Sequence, residues 1–198
     1  MRQGNTRRSH LGDKASSPST ALPVELAEIN QLGLQFHEEK RFDRSLEQFW
    51  LGLLKSREMG LRDWECIALN NIGMVYQSWG KFDHALKFYE QSLEISQKVD
   101  FPQGAIATLN NLGRLYEYWG RLEKAKDYYK KGLAMAEAHG ELAAKRTTLL
   151  NLAVCLERQG DYSQCRGHLR EVIRIDEILN HPNVEMDRAY LSQLEDRP

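Results

Sequence analysis

Cysteine is scarce in this chain. Its three occurrences, Cys66, Cys155 and Cys165, include no C-x-x-C pair, so neither a disulfide framework nor a metal site of the usual spacing is expected, and reduced thiols in a cytoplasmic compartment are. Proline is limited to five residues and runs of Val, Ile and Thr are few, which argues against a sheet. No apolar run approaches the roughly 18 residues that crossing a bilayer requires, so no membrane insertion is expected. An excess of charge is missing too. The 27 Lys and Arg against 28 Asp and Glu leave a net charge of −1, which gives no electrostatic footprint for DNA or RNA. There is no HExxH, no phosphate-binding glycine loop, no nucleophile elbow and no carboxylate pair at a shared cleft, and the six histidines are scattered. No catalytic residue, metal or cofactor is expected, and the chain reads as a non-enzyme. What is present is 41% apolar residues, enough for a continuous core.

The stretch from Leu69 to Leu93 returns at a shift of forty residues. Asn71, Ile72, Gly73 and Tyr76 recur as Asn111, Leu112, Gly113 and Tyr116, and more loosely as Asn151, Leu152, Ala153 and Leu156. Gln31, Leu32, Gly33 and Phe36 precede them at the same distance. Four copies therefore fit between Pro23 and about Asn180 without an insertion, and a strict period in this range predicts a solenoid in which each unit buries its face on its neighbours.

Within one copy, Leu69, Ile72, Gly73 and Tyr76 share one helical face, and Phe82, Ala85, Leu86, Tyr89 and Leu93 share a second. Gly80, with Lys40, Gly120 and Gly160, marks the turn between the two helices. Asp43, Asp83 and Ser163 stand where the second helix starts and are expected to cap it. Gly60, Asp100, Gly140 and Asn180, again forty apart, all tolerate positive φ and mark the exits. The unit is a helical hairpin. Small residues recur on its first helix (Gly33, Gly73, Gly113, Ala153) and on its second (Ser45, Ala85, Ala125, Cys165). They let the backbones approach while Tyr76, Tyr89, Tyr116 and Tyr129 fill the gaps beside them.

Small and large positions recurring together in four copies resemble the tetratricopeptide repeat (TPR) family over roughly residues 23 to 180. The family's unit is about 34 residues, so each copy here has about six more, which are assigned to longer helices. Copies of this length resemble those of kinesin light chains, Pins-type polarity adaptors and many bacterial signalling repeats. The proline common near the end of the family's second helix is missing, where residues such as Gln97 stand. The resemblance implies an all-α fold, a right-handed α-solenoid of four TPR hairpins (about 23–60, 61–100, 101–140 and 141–180) with a C-terminal capping helix in 181–198. For that last helix, Met186, Tyr190 and Leu194 are expected on one face, with Asp187, Arg188 and Glu195 elsewhere. Residues 1–22, with Arg2, Arg7, Arg8 and Lys14 among Ser, Thr, Gly and Asn, are expected to be a disordered tail. They lack the apolar core of a secretory signal, while a mitochondrial presequence or a segment docking in the chain's own groove remain alternatives.

In the resembled fold the first helices of successive copies line a concave groove. Carried onto this sequence, the groove residues are Asn30, Leu34 and His37 in copy one; Asn70, Asn71, Met74 and Gln77 in copy two; Asn110, Asn111, Arg114, Glu117 and Tyr118 in copy three; and Asn151, Val154 and Arg158 in copy four. An amide carries donors and an acceptor, so a ladder such as Asn71, Asn111 and Asn151 can pair with the backbone of an extended peptide. The same amides can instead bond the neighbouring helix and hold the repeats in register. Co-chaperone repeats that clamp a terminal carboxylate also resemble this array, but their lysine and arginine positions hold Asn30, Ala107 and Asn111 here, so that clamp is not expected. The resemblance implies a non-catalytic adaptor or scaffold for a protein or peptide partner. The alternatives are a self-associating assembly protein and a peptide-sensing regulator.

Overall fold

The computed structural model describes residues 24–195 and residue 197. The expected tail over residues 1–22 lies outside them. Among the described residues there are nine helices and no strand: α1 (Val24–Glu38), α2 (Phe42–Glu58), α3 (Arg62–Ser78), α4 (Phe82–Lys98), α5 (Pro102–Tyr118), α6 (Leu122–Ala138), α7 (Leu142–Gln159), α8 (Tyr162–Leu179) and α9 (Val184–Leu194). Helices α2 to α6 have 17 residues each. Two such helices and two three-residue joints make the forty-residue unit, so the extra length relative to a shorter repeat lies in the helices.

Every joint closes in the same way. Positive φ occurs at Lys40, Gly60, Gly80, Asp100, Gly120, Gly140, Gly160 and Asn180, one helix apart throughout. Beyond it the backbone turns back to bond the carbonyl of the last turn, as Lys81 N–H does to Tyr76 O at 2.8 Å and Arg121 N–H to Tyr116 O at 2.9 Å. Asp100 holds φ +55° with a side chain that disfavours it. Asp100→Gly is therefore expected to raise stability by about 1 kcal/mol, read as a higher thermal midpoint; a lower one would contradict it.

The starts of the second helices differ from expectation. Asp43 and Asp83 lie inside the first turn, and the cap positions are held by Arg41 and Lys81, whose side chains form no cap bond. The two carboxylates instead complement the helix dipole. In the fourth hairpin the cap is Asp161, which accepts from Gln164 N–H at 3.0 Å, rather than Ser163.

Packing within each hairpin follows the small-large pairing. A Cβ added at Gly33, Gly73 or Gly113 would lie 2.4–2.7 Å from the ring of Phe49, Tyr89 or Tyr129. The three rings are buried where the helices cross, and full burial of side chains of this kind is worth about 1.5–3 kcal/mol each. Tyr76 stacks on Phe88 and Tyr116 on Tyr128, with ring centroids 5.4 and 5.3 Å apart. The three cysteines are buried free thiols. Burial pushes Cys66 up to about 12 and Cys155 and Cys165 to about 11, so they act as small packing residues rather than nucleophiles. Leu32, unlike its buried counterpart Ile72, is 39% exposed, because among the described residues no hairpin precedes the first.

The backbones of α1, α3, α5 and α7 approach one another in series, whereas those of α2, α4, α6 and α8 do not. The odd helices are therefore the closely spaced inner wall of the solenoid and the even ones its wider outer wall. At the far end α9 packs on α8, but its faces are not those expected. Leu194 and Asp187 are buried, and Met186 is 60% exposed. The cause is Arg146 of α7, a buried guanidinium that binds Asp176 of α8 (Nε to Oδ1, 2.5 Å) and Asp187 of α9 together. This three-helix ion cluster, rather than an apolar stripe alone, sets the rotation of the last helix.

The concave groove as candidate functional site

Helical phase decides what the inner wall presents. On α3, Ile72 and Gly73 face the preceding and following helices of the core, which leaves Asn70, Asn71, Met74 and Gln77 toward the concave side; the same offset of forty places the other candidates. Their surroundings differ from hairpin to hairpin.

At the first joint, Asn71 Nδ2–H donates to Asn30 Oδ1 at 2.6 Å. At the second, Asn111 Nδ2–H donates to Asn70 Oδ1 at 3.0 Å, and Thr108 Oγ1–H reaches the same oxygen at 3.2 Å. These bonds recur at a separation of 41 residues and stitch α1 to α3 and α3 to α5. At the third joint the pattern breaks. Asn110 is buried and turns its Nδ2–H to Thr148 Oγ1 at 2.9 Å, its own Oδ1 is left without a partner, and Asn151 makes no side-chain hydrogen bond among the described residues. The three amides of the sequence ladder thus have unlike surroundings: Asn71 and Asn111 are tied to neighbouring repeats, and the amide of Asn151 is open.

The remaining candidates divide in a similar way. Leu34 and Met74 are partly buried against the first apolar cluster. Gln77 is buried and accepts from Tyr89 O–H at 2.8 Å. His37 meets Ser78 Oγ at 2.8 Å, and burial, with a smaller contribution from the charge of Arg114, holds its imidazole below the ordinary histidine value. These residues form the floor of the first two hairpins, which is largely self-satisfied.

Between the third and fourth hairpins the wall opens into a cleft of about 390 Å³ lined by Arg114, Glu117, Tyr118, Tyr129, Asn151, Val154 and Arg158. That volume lies in the range of ligand pockets, roughly 300–1,000 Å³. Glu117 Oε1 accepts from Tyr129 O–H at 2.8 Å and its Oε2 pairs with Arg158 Nη1 at 3.1 Å. Burial, then the neighbouring Glu117 charge, pushes the Tyr129 phenol well above its usual range, so it stays a donor. Tyr118 is 63% exposed and stacks on Phe82 at 5.8 Å. Arg114 is exposed and has no ion pair among the described residues. Sequence reasoning brought six of these seven positions to one wall but read Tyr129 as a gap filler only. It also missed Ser78, Thr108 and Thr148, although the two threonines stand forty apart, which was the available signal.

Two models of the tetratricopeptide repeat match the sequence, one over residues 25–98 and again over 64–138, the other over 147–176. The chain is similar in structure to BtubC (BKLC) from P. vanneervenii, at 25% identity and a TM-score of 0.65 over 79% of this chain and 65% of that one. It is also similar to the nearly identical TPR-like repeats of a Podosopora anserina kinesin light chain, at 16% identity and a TM-score of 0.67 over 88% of this chain and 87% of that one. A Rap protein complexed with Competence and Sporulation Factor is similar at 16% identity and a TM-score of 0.71, over 87% of this chain and 48% of that one. This chain thus spans less than two thirds of BtubC and about half of the Rap protein. No curated protein sequence matches it. Among the described residues no helix is long and apolar enough to cross a membrane.

Proposed function

Because the chain belongs to the tetratricopeptide repeat family, whose fold is generally a non-catalytic interaction scaffold, we propose that it is an adaptor that holds a peptide segment or a helix of a partner protein in its concave groove. The observation that carries this reading is the open third joint, where the amide of Asn151 faces a cleft instead of a neighbouring helix. An unengaged amide on a rigid helix can offer a donor and an acceptor to a bound backbone at little ordering cost. That a Rap protein of similar fold is held in a complex with a factor supports the same reading. The buried, unpaired thiols fit a cytoplasmic setting.

A second reading, self-association, is favoured by Trp50, Leu51 and Leu54, apolar residues of α2 that are all exposed. One set of samples separates the two. The chain is used to capture partners beside an Asn151→Ala/Tyr118→Ala variant and a Trp50→Ala variant, and each is also sedimented at high concentration. The adaptor reading expects a partner lost with the groove variant and retained with Trp50→Ala. Partners indifferent to the groove variant, together with a wild-type mass that grows with concentration and falls back in Trp50→Ala, would replace it with self-association.

A further inference from the structure

We propose that the cleft between the third and fourth hairpins receives an acidic side chain of the bound peptide, with Arg114 as its counter-ion and Asn151 holding the adjoining backbone. This deepens the adaptor reading and rests on it.

The cleft's three charged residues, Arg114, Glu117 and Arg158, suggest by sequence alone a ligand of mixed sign, yet they are not equivalent in space. Both oxygens of Glu117 are already engaged, by Tyr129 and Arg158, and its side chain is only 10% exposed. Arg158 is its partner across the joint. That internal pair leaves no anionic group free to receive a cation from a ligand. Arg114 is the charge left over. It stands on the same face of α5 as Glu117 and Tyr118, exposed, within reach of the cleft and unpaired among the described residues. A guanidinium so placed matches a carboxylate with two parallel N–H donors, a geometry a point charge cannot offer.

The neighbours define what flanks the acid. The exposed ring of Tyr118, held by its stack on Phe82, and the side chain of Val154 give an apolar platform on either side of the guanidinium. A segment in which an Asp or Glu adjoins an aromatic or aliphatic residue fits that sequence of surfaces. The chain's own first 22 residues do not, since they carry Arg2, Arg7, Arg8 and Lys14 against a single Asp13 and would be repelled. The occupant is therefore a partner's segment.

The test is selection of a random dodecapeptide library displayed on phage against the wild type, Arg114→Glu and Asn151→Tyr, followed by anisotropy titrations of the recovered peptides. Asn151→Tyr fills the cleft. Wild-type binders are expected to be enriched in Asp and Glu beside an apolar residue. They are expected to bind Arg114→Glu at least about tenfold more weakly, the loss of one charge-assisted contact, while that variant unfolds at the wild-type temperature. Selection on Arg114→Glu is expected to lose the acidic enrichment. Acid-poor binders that ignore Arg114→Glu but are lost with Asn151→Tyr would overturn the acidic preference and leave the groove reading standing. No binders, or binders indifferent to both variants, would overturn the groove reading and the preference with it.

Discussion

Replacing Arg146 by methionine is expected to destabilise the fourth hairpin and its cap by about 3–5 kcal/mol. Its guanidinium is the only positive charge in direct ion-pair contact with both Asp176 and Asp187, which are buried on two other helices. Truncation to an apolar side chain of similar length leaves two carboxyl groups in a dry site with nothing to offset them. Their titration is also split. Burial opposes ionisation of Asp176, but hydrogen bonds from Arg146 and Asp187 outweigh it and hold its carboxyl below the ordinary value. Burial, and then the bond to Asp176, push Asp187 above it. Neutral Asp187 thus donates to ionised Asp176, which pairs with Arg146. A lowered Asp176 contributes stability that is present above its unfolded pKa and lost as pH falls through the folded one. A raised Asp187 contributes stability that is present below its unfolded pKa and lost as pH rises through the folded one. Asp187→Asn imitates the neutral form, so it is expected to leave stability near the wild-type value at low pH and to exceed it above the raised pKa. Thermal unfolding followed by circular dichroism between about pH 4 and 8 reads both variants, and an Arg146→Met chain as stable as the wild type would remove the cluster from the account of the cap.

Gly113→Leu is expected to cost about 3 kcal/mol, the upper part of the range for overpacked cores. The first added carbon alone would meet Tyr129 Cε1 at 2.4 Å. That ring cannot swing away, because it is fully buried and its hydroxyl is fixed on Glu117, so α5 and α6 must part. Gly132→Ala is the control. Its added carbon would meet Thr148, Leu109 and Asn110 at 3.5–3.9 Å, ordinary contact, and replacing a mid-helix glycine there gains about 0.5–1 kcal/mol. Urea midpoints at unchanged slope should move in opposite directions for the two. A Gly113→Leu midpoint equal to the wild type would contradict the assigned crossing.

The two substitutions also mark what was legible in the sequence. Gly113 and Tyr129 announce their contact, because a small and a large residue sixteen apart return with the same spacing in the neighbouring copy as Gly73 and Tyr89. The joints were equally open to reading, since glycine, aspartate and asparagine at a common offset share only their tolerance of positive φ. Arg146 announces nothing. Its partners lie 30 and 41 residues away on two helices, and nothing in the spacing of Asp187 distinguishes a buried carboxylate from a solvated one. The amides fall between these cases. Their shared offset placed them on the inner wall, but whether one bonds its neighbour or faces open space depends on how far each hairpin rises and turns relative to the last. Only coordinates separate Asn71 from Asn151. The helix starts were misread because Asp43 and Asp83 are good capping residues one position too late.

The uniform joints carry a consequence for how such a chain can change length. One residue added inside α3 would turn everything beyond it by about 100° and carry Gly73 off the ring of Tyr89, so single insertions within helices are penalised at every later hairpin. A cut or duplication of forty residues, wherever it begins, joins a helix to its own equivalent and restores both phase and φ. The array is a ruler graduated in whole hairpins, lengthened or shortened by copying a mark.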